Sequence, residues 1–413
     1  MNAVVCPSRL SGRVTAPPSK SCAHRLLIAA ALCGGVTRIL RPGESQDVEA
    51  TSRCLASLGA RVEGDGSCLT VYGDPDTLLG EREAALDCGE SGSTLRFLVP
   101  LCALRRGRTT LTGSGRLPQR PMDAVLSPLR ENGASYEKPI GSSLPLTFSG
   151  GLIPGRFSLP GNVSSQFFSG LLFALPLMDR DSRVIYTSPL ESADYVELTR
   201  QALSRFSVSS LPTPDGWQVP GGQAYASPGQ VETEGDWSSA AFFLAAQALG
   251  ADIEVAGTDP VSAQSDRAVS SLLPRLGGVI DVSPCPDLMP ILSAAAACLP
   301  GRTTRFVGAA RLRMKESDRL TAMARCIQSM GGEAQEGADS LTVTGRHLPG
   351  GRVDGQGDHR VVMSAAIAAC FGQGPTSITG AEAVAKSYPG FWEDLRRLGG
   401  IFELTPDPQG DRL

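Results

Sequence analysis

The phrase LASLGARVE, residues 55–63, decides the fold because it returns. It recurs as LRENGASYE (129–137), LPRLGGVID (273–281), IQSMGGEAQ (327–335) and LRRLGGIFE (395–403), and a degenerate copy, LSRFSVSS (203–210), has lost its glycine. Each phrase reads as the last turn of an amphipathic helix, closed by a C-terminal glycine and followed by a strand. Several copies continue through a turn into a second short strand, as in EGDGSCLTVYG (63–73) and EGADSLTVTG (336–345). Six such units divide into two halves of three, which predicts an α/β architecture of two similar domains. The spacing, about 50–75 residues, is too long for a solenoid. Pseudo-symmetric halves make the cleft between them the expected ligand site, with chemistry-bearing motifs in both.

The composition is that of an ordinary globular protein: 413 residues, 41% hydrophobic, 19% charged, net charge −4. A general nucleic-acid binder would show a basic face. The N-terminus MNAVVCPSRLSGRV has no signal-peptide pattern. The longest apolar stretch, FFSGLLFALPLM (167–178), contains a proline and is too short to span a bilayer. Eleven scattered cysteines include no C-x-x-C pair and read as buried thiols of a cytosolic protein. Only four of the 38 basic residues are lysines, Lys20, Lys138, Lys315 and Lys386, so each marks a place where a compact ammonium is wanted.

Several segments put cations and small polar groups in front of apolar helices. PPSKSCAHR (17–25) offers Lys20, Ser21 and Arg25 to an anion at a positive helix end, without the glycines of a Walker loop. DCGESGSTLRFL (87–98) repeats the idea with Gly92, where a backbone can approach an anion closely, and Arg96. GRLPQRPMD (115–123) supplies Arg116 and Arg120, and GNVSSQFFSGLL (161–172) adds Ser164, Ser165 and Gln166. In the second half, EGDWSSAAFFLAA (234–246) echoes the same helix start, and CPDLMPILSAAAA (285–297) presents Asp287. RLRMKESDRL (311–320) places Lys315 and Arg319 four apart, as partners on one helix face, with Glu316 as a candidate proton donor. GDHR (357–360) and AKSYPGFW (385–392) bring Arg360 and Lys386. Singly, each is as well explained by a capped helix or a solvated charge run; together they suit two highly anionic substrates.

In order and wording, SKSCAHR, GESGSTLR, RPMDAVLSPL, VSSQFFSGLL, GDWSSA, RLRMKESDRL, GDHR and AKSYPGFW resemble the 5-enolpyruvylshikimate-3-phosphate synthase family of enolpyruvyl transferases, from about Pro17 to Leu395. The resemblance implies two pseudo-symmetric domains of three βαβαββ repeats each, an inside-out α/β barrel, with the active site in the interdomain cleft. The chain then crosses between domains twice, giving residues 1–18 plus 234–413 as one domain and 19–233 as the other. It further implies transfer of the enolpyruvyl group of phosphoenolpyruvate to the 5-hydroxyl of shikimate 3-phosphate, with no metal or organic cofactor. Partners are then these small molecules alone, with no nucleic acid or membrane, and a cytoplasmic monomer is expected.

Carried onto this sequence, Lys20, Ser21, Arg25, Ser164, Ser165, Gln166, Ser192, Asp287 and Lys315 are expected to bind shikimate 3-phosphate. Lys20, Gly92, Arg120, Gln166, Arg319, Arg360 and Lys386 are expected to hold phosphoenolpyruvate. Asp287 is the expected base on the attacking hydroxyl, and Glu316 and Lys20 are candidates for moving the proton at the methylene carbon. Four positions depart from the family pattern: Glu90 where asparagine is usual, Trp237 for a small residue, SADY (192–195) without Lys-Pro, and Gly357 before DHR. Two alternatives share the residues. A sister transferase acting on UDP-N-acetylglucosamine usually carries a reactive cysteine on the loop matching GSGRLPQRPMD (113–123), which has none. A non-catalytic anion-binding paralogue would keep recognition without the chemistry.

Overall fold

The recurring phrases do end helices. Gly59, Gly133, Gly277, Gly331 and Gly399 all have φ between +82° and +112°, the left-handed region where a Cβ is penalised. Ser207 lies in the same region at +63°, so the degenerate copy keeps the turn after losing its glycine. The helices closed in this way are Gln46–Ser57, Asp123–Glu131, Ala193–Arg205, Arg319–Ser329 and Phe391–Arg397. The copy at 273–281 follows only the short helix Val269–Leu272 and a 3-10 turn, Leu273–Arg275, where Pro274 cannot continue an α-helical ladder.

A computed structural model describes residues 1–406. They form two compact units, residues 1–17 with the chain from Gly235 on, and Pro18–Glu234. Three copies of the phrase fall in each. Among the described residues the strands make five four-stranded sheets and one two-stranded sheet. The larger sheets share a plan. In one, Val279–Asp281 runs parallel to Thr303–Val307, which pairs antiparallel with Ser340–Thr344, which pairs antiparallel with Glu333–Glu336.

The helix Met289–Ala297 joins the parallel pair, and Arg319–Ser329 leads into the antiparallel hairpin. The first is apolar all round and wholly buried. The second buries one face, including Leu320, Met323 and Ile327, as its amphipathic spacing requires. The strand Thr303–Val307 alternates, with Thr304 and Phe306 inward and Thr303 and Arg305 outward. Helices thus carry the core of each unit, every buried Leu, Ile or Met contributing roughly 1.5–3 kcal/mol. The sheets show one face to water.

The sixth sheet departs from the expected βαβαββ plan: Ser11–Thr15 parallel to Asp252–Ala256 stops at two strands. Its physical cause is a short connection, because residues 257–278 lead directly into Val279–Asp281 of the next sheet.

Helix starts are capped by short polar side chains. Ser91 accepts from the Thr94 N–H at 3.2 Å, Ser164 from Gln166 at 3.3 Å, Asp236 from Ser239 at 3.0 Å and Asp358 from Arg360 at 2.9 Å. Each cap stabilises its helix by about 1 kcal/mol and fixes where the following side chains point. No helix among the described residues is long and apolar enough to cross a membrane.

Candidate active site

In the Pro18–Glu234 unit, the expected anion-binding residues lie at helix starts that are bonded to one another. Lys20 opens the helix Lys20–Ala31, and its Nζ is 2.7 Å from Asp47 Oδ2 in the first turn of Gln46–Ser57. Thr51 of that second helix bonds Thr94 of Gly92–Leu104 at 2.7 Å. Gln166, in the first turn of Ser165–Ala174, donates to Ser93 Oγ at 2.8 Å and accepts from Arg96 Nη1 at 2.7 Å. A Cβ on Gly92 would lie 2.5 Å from Arg120 Nη1 and 3.4 Å from Arg96 Nη1. The glycine is there so that two guanidiniums can meet a helix N-terminus.

Arg25 has a different position. It is 2% exposed, and its guanidinium donates to the Ser21 carbonyl at 2.5 Å, Thr199 Oγ1 at 2.7 Å and the Tyr195 carbonyl at 2.8 Å. It fastens the start of Ala193–Arg205 to the Lys20 helix, and burial lowers its pKa to about 10. Neighbouring His24 is buried against Phe97 with Nδ1 2.7 Å from Thr51 Oγ1. Burial holds it near pKa 3, as a neutral ring. Ser164 caps its helix, while Ser165 is buried in the first turn. Ser192 is buried at φ +55°, a left-handed conformation rare for a serine.

In the other unit, five of the expected residues, Asp287, Lys315, Glu316, Arg319 and Arg360, form one ion cluster. Asp287 Oδ1 lies 2.9 Å from Arg319 Nη1 and 3.1 Å from Lys315 Nζ, and Oδ2 lies 3.1 Å from Arg360 Nη2. Arg360 Nη1 also donates to the Asp287 carbonyl at 3.0 Å. Glu316 Oε2 is 2.6 Å from Arg319 Nη2. Burial alone would push the Asp287 carboxyl up, but Arg360, Lys315 and Arg319 outweigh it and hold the group well below the usual range. Burial lowers the Lys315 ammonium despite Asp287 beside it. Lys386 Nζ donates to the Gly357 carbonyl at 3.0 Å, next to Asp358.

The spacing of Lys315 and Arg319 does not place them on one helix face. Lys315 ends a 3-10 turn and Arg319 opens the next helix, so the carboxylate of Asp287 brings them together. Nor does Asp287 cap the helix after it; Leu288 holds the N-cap position.

Four residues without an assigned role prove central to these clusters. Asp47 pairs Lys20, and Ser93 holds Gln166. Asp358, fully buried, takes Arg319 Nε at 2.8 Å and the Ser317 hydroxyl at 2.9 Å. Asp266, also fully buried, accepts a hydrogen bond from Ser238 on the helix Trp237–Ala248. Burial, with repulsion from Asp287, pushes Asp266 up to about 6.

The sign of this shift is testable. Asp266 takes up a proton more readily folded than unfolded, so its contribution is full below the unfolded value of 3.8 and lost as pH rises through about 6. Asp266→Asn should flatten this part of the stability profile, read from urea midpoints at pH 4.5 and 7. An unchanged slope would remove Asp266 from that account.

A family described as EPSP synthase (3-phosphoshikimate 1-carboxyvinyltransferase) matches residues 4–284 and 275–395. The chain belongs to that family. A Clostridium kluyveri protein named 3-phosphoshikimate 1-carboxyvinyltransferase is 41% identical across 95% of this chain and 96% of its own. The protein of that name from Clostridium acetobutylicum is 39% identical across 97% and 98%. The structure of EPSP synthase from Acinetobacter baumannii superposes with a TM-score of 0.82 at 27% identity, covering 98% of this chain and all of that one. The enolpyruvyl transferase NikO from Streptomyces tendae shares the fold, with a TM-score of 0.78 at 18% identity.

Two departures from the EPSP synthase pattern gain a physical setting. Trp237 is buried and its indole donates to the Asp259 carbonyl at 2.9 Å, so its bulk packs a loop of its own unit. Glu90 lies against Gly115, where a Cβ would come within 2.7 Å of its Oε2.

Proposed function

We propose that this chain transfers the enolpyruvyl group of phosphoenolpyruvate to the 5-hydroxyl of shikimate 3-phosphate and releases inorganic phosphate. The single observation that carries the site assignment is the Asp287 carboxylate held among Lys315, Arg319 and Arg360. Both substrates are polyanions, and they can meet only where fixed cations offset their repulsion. Lys20, Arg120, Arg319, Arg360 and Lys386 are assigned to phosphoenolpyruvate. Lys20, Lys315 and the hydroxyl and amide groups of Ser21, Ser164, Ser165, Gln166 and Ser192 are assigned to shikimate 3-phosphate. Arg25 belongs to that set as the residue that fixes the Ser21 turn.

The reaction needs a proton added at the methylene carbon, attack of the 5-hydroxyl oxygen at C2, and loss of the hydroxyl proton. The C2–O bond to phosphate then breaks in the tetrahedral intermediate, and the methylene proton leaves again. Asp287 is assigned as base for the hydroxyl. With three cations around it, its carboxylate is ionised but weakly basic. Shikimate 3-phosphate on Lys315 and phosphoenolpyruvate on Arg319 and Arg360 weaken their hold on Asp287, so its proton affinity rises when both substrates are bound. Glu316 and Lys20 are assigned to the methylene proton.

This reading includes the finer domain plan, with boundaries near 18 and 234, and two clusters serving one substrate pair in an interdomain cleft. It also includes a monomer, and a place in the cytoplasm in keeping with eleven cysteines that form no disulfide among the described residues. Phosphate release from phosphoenolpyruvate tests the function. Release is expected with shikimate 3-phosphate and not with UDP-N-acetylglucosamine; release with neither, alongside intact acceptor binding, would indicate a recognition protein.

Gly92→Ala should raise KM for phosphoenolpyruvate several-fold, because the new methyl displaces the Arg120 guanidinium from 2.5 Å. Shikimate 3-phosphate affinity should change less. Steady-state kinetics in both substrates would show it, and an unchanged phosphoenolpyruvate KM would separate Arg120 from that substrate.

A further inference from the structure

We propose that the strand Asp252–Ala256 is an open sheet edge that receives an extended segment of a partner protein, with basic residues alternating with apolar ones. The case begins with the spacing of the repeats. In four sheets, 43 residues separate the second strand from the first strand of the following sheet: Leu40 from Ala84, Thr112 from Arg156, Tyr186 from Gln230 and Val307 from Gly351. Each of those intervals holds a helix and a two-stranded hairpin. From Ala256 to Val279 there are only 22 residues, holding short helical turns and no hairpin.

Elsewhere the hairpin strand next to the parallel pair turns apolar side chains onto the helices. Val71, Phe148, Trp217 and Val343 are all buried in this way. In the same unit, the helix Trp237–Ala248 and the turn at 273–276 flank a cavity of about 560 Å³, whose lining is mainly apolar, with Leu244, Leu249, Leu273 and Leu276, and polar at Gln247 and Arg302. Among the described residues no hairpin strand pairs beside Asp252–Ala256.

The edge itself has unused pairing capacity. The Asp252 N–H donates to the Leu10 carbonyl and the Ala256 carbonyl accepts from the Ala16 N–H. In a parallel ladder, alternate residues bond the same neighbour, so Asp252, Glu254 and Ala256 face Ser11–Thr15. The N–H and C=O groups of Ile253 and Val255 therefore point to the other edge, where no strand pairs among the described residues. Side chains alternate as well: Ile253 is buried, while Asp252 and Glu254 are exposed on the outer face, where Glu254 lies 3.5 Å from Arg13 of the paired strand, so the two carboxylates against one guanidinium leave the edge net negative.

That charge pattern selects the occupant. An added antiparallel strand would place alternate side chains opposite Asp252 and Glu254, where opposite charge stabilises and like charge opposes. Its other side chains would turn to the inner face, with Ile253. A second copy of this chain fits poorly. The register that uses both Ile253 and Val255 symmetrically sets Glu254 directly opposite its own copy, a common protection of free edges.

The test uses full-length protein and two blocked octapeptides, alternating Val-Arg and alternating Val-Glu, with amide hydrogen exchange as readout. The Val-Arg peptide should slow exchange at Ile253 and Val255 at least tenfold, and the Val-Glu peptide should not. The double substitution Asp252→Lys and Glu254→Lys, both exposed and away from the ion cluster, should exchange the two peptides' roles. Binding of Val-Arg without protection at these two amides, or no binding of either peptide, overturns the proposal. So does a concentration-dependent dimer of the unaltered protein that protects the same amides, which would give the edge to a second copy.

Discussion

Asp287→Asn is expected to lower kcat by about three orders of magnitude, the range seen when a positioned general base is removed. The amide is isosteric but has a single acceptor oxygen, so it keeps either the Lys315 and Arg319 side or the Arg360 side of the contacts at 2.9–3.1 Å, and it carries no charge. KM for phosphoenolpyruvate should stay level or fall, because the Asp287 charge no longer competes with substrate anions for Lys315, Arg319 and Arg360. That combination distinguishes loss of a base from loss of a binding group, which would raise KM. Asp287 is about one-fifth exposed, so its loss should cost less than the roughly 3–5 kcal/mol typical of breaking a fully buried pair. The depressed pKa gives the sign with pH: this stabilisation is present above the usual carboxylate range and disappears as pH falls through the folded value. Near-normal turnover would remove Asp287 as the base.

What the sequence disclosed and what it hid divide along the range of the interactions. Helix ends were legible because their determinants are local. A glycine at +φ closes the helix, and Ser91, Ser164, Asp236 or Asp358 caps the next. Gln166 and Arg360 follow, since they lie in first turns that Ser164 and Asp358 cap, and Arg319 lies in the turn capped by Asp318; Lys20 opens a helix with no side-chain cap.

The counter-charges were not legible. Asp47 lies 27 residues from Lys20, and Asp358 lies 39 from Arg319, so only the packing of helices brings them together. His24 stands between Lys20 and Arg25 in sequence, yet the helix turns it inward, where burial keeps it neutral. The missing hairpin left a trace in the spacing. Phrase copies at 55, 129 and 203 are 74 residues apart, while those at 273 and 327 are 54 apart. The interval alone does not say which strands were lost; sheet pairing does.

Arg319→Met should be the most destabilising single change in the unit that holds it. The guanidinium is 1% exposed and reaches Asp287, Glu316 and Asp358 at 2.6–2.9 Å, tying three segments of chain to one side chain. Burial would lower its pKa, but Asp358, Glu316 and Asp287 outweigh burial and raise it. Asp358 is worse placed without it, as a fully buried carboxylate held ionised chiefly by Arg319 against the effect of burial. Leaving that charge uncompensated typically costs 3–5 kcal/mol, or about 10 °C in Tm for a unit of this size. Arg319→Lys should recover little, since one ammonium cannot span three carboxylates that a planar fork reaches at once. Adding Asp358→Asn to Arg319→Met should restore part of the stability by removing the stranded charge, while turnover stays low because Asp287 and substrate still lack the arginine. Thermal melts and kcat/KM on the two single variants and the double variant would separate these roles. Recovery of both quantities together would mean Arg319 acts on the reaction only by holding the fold.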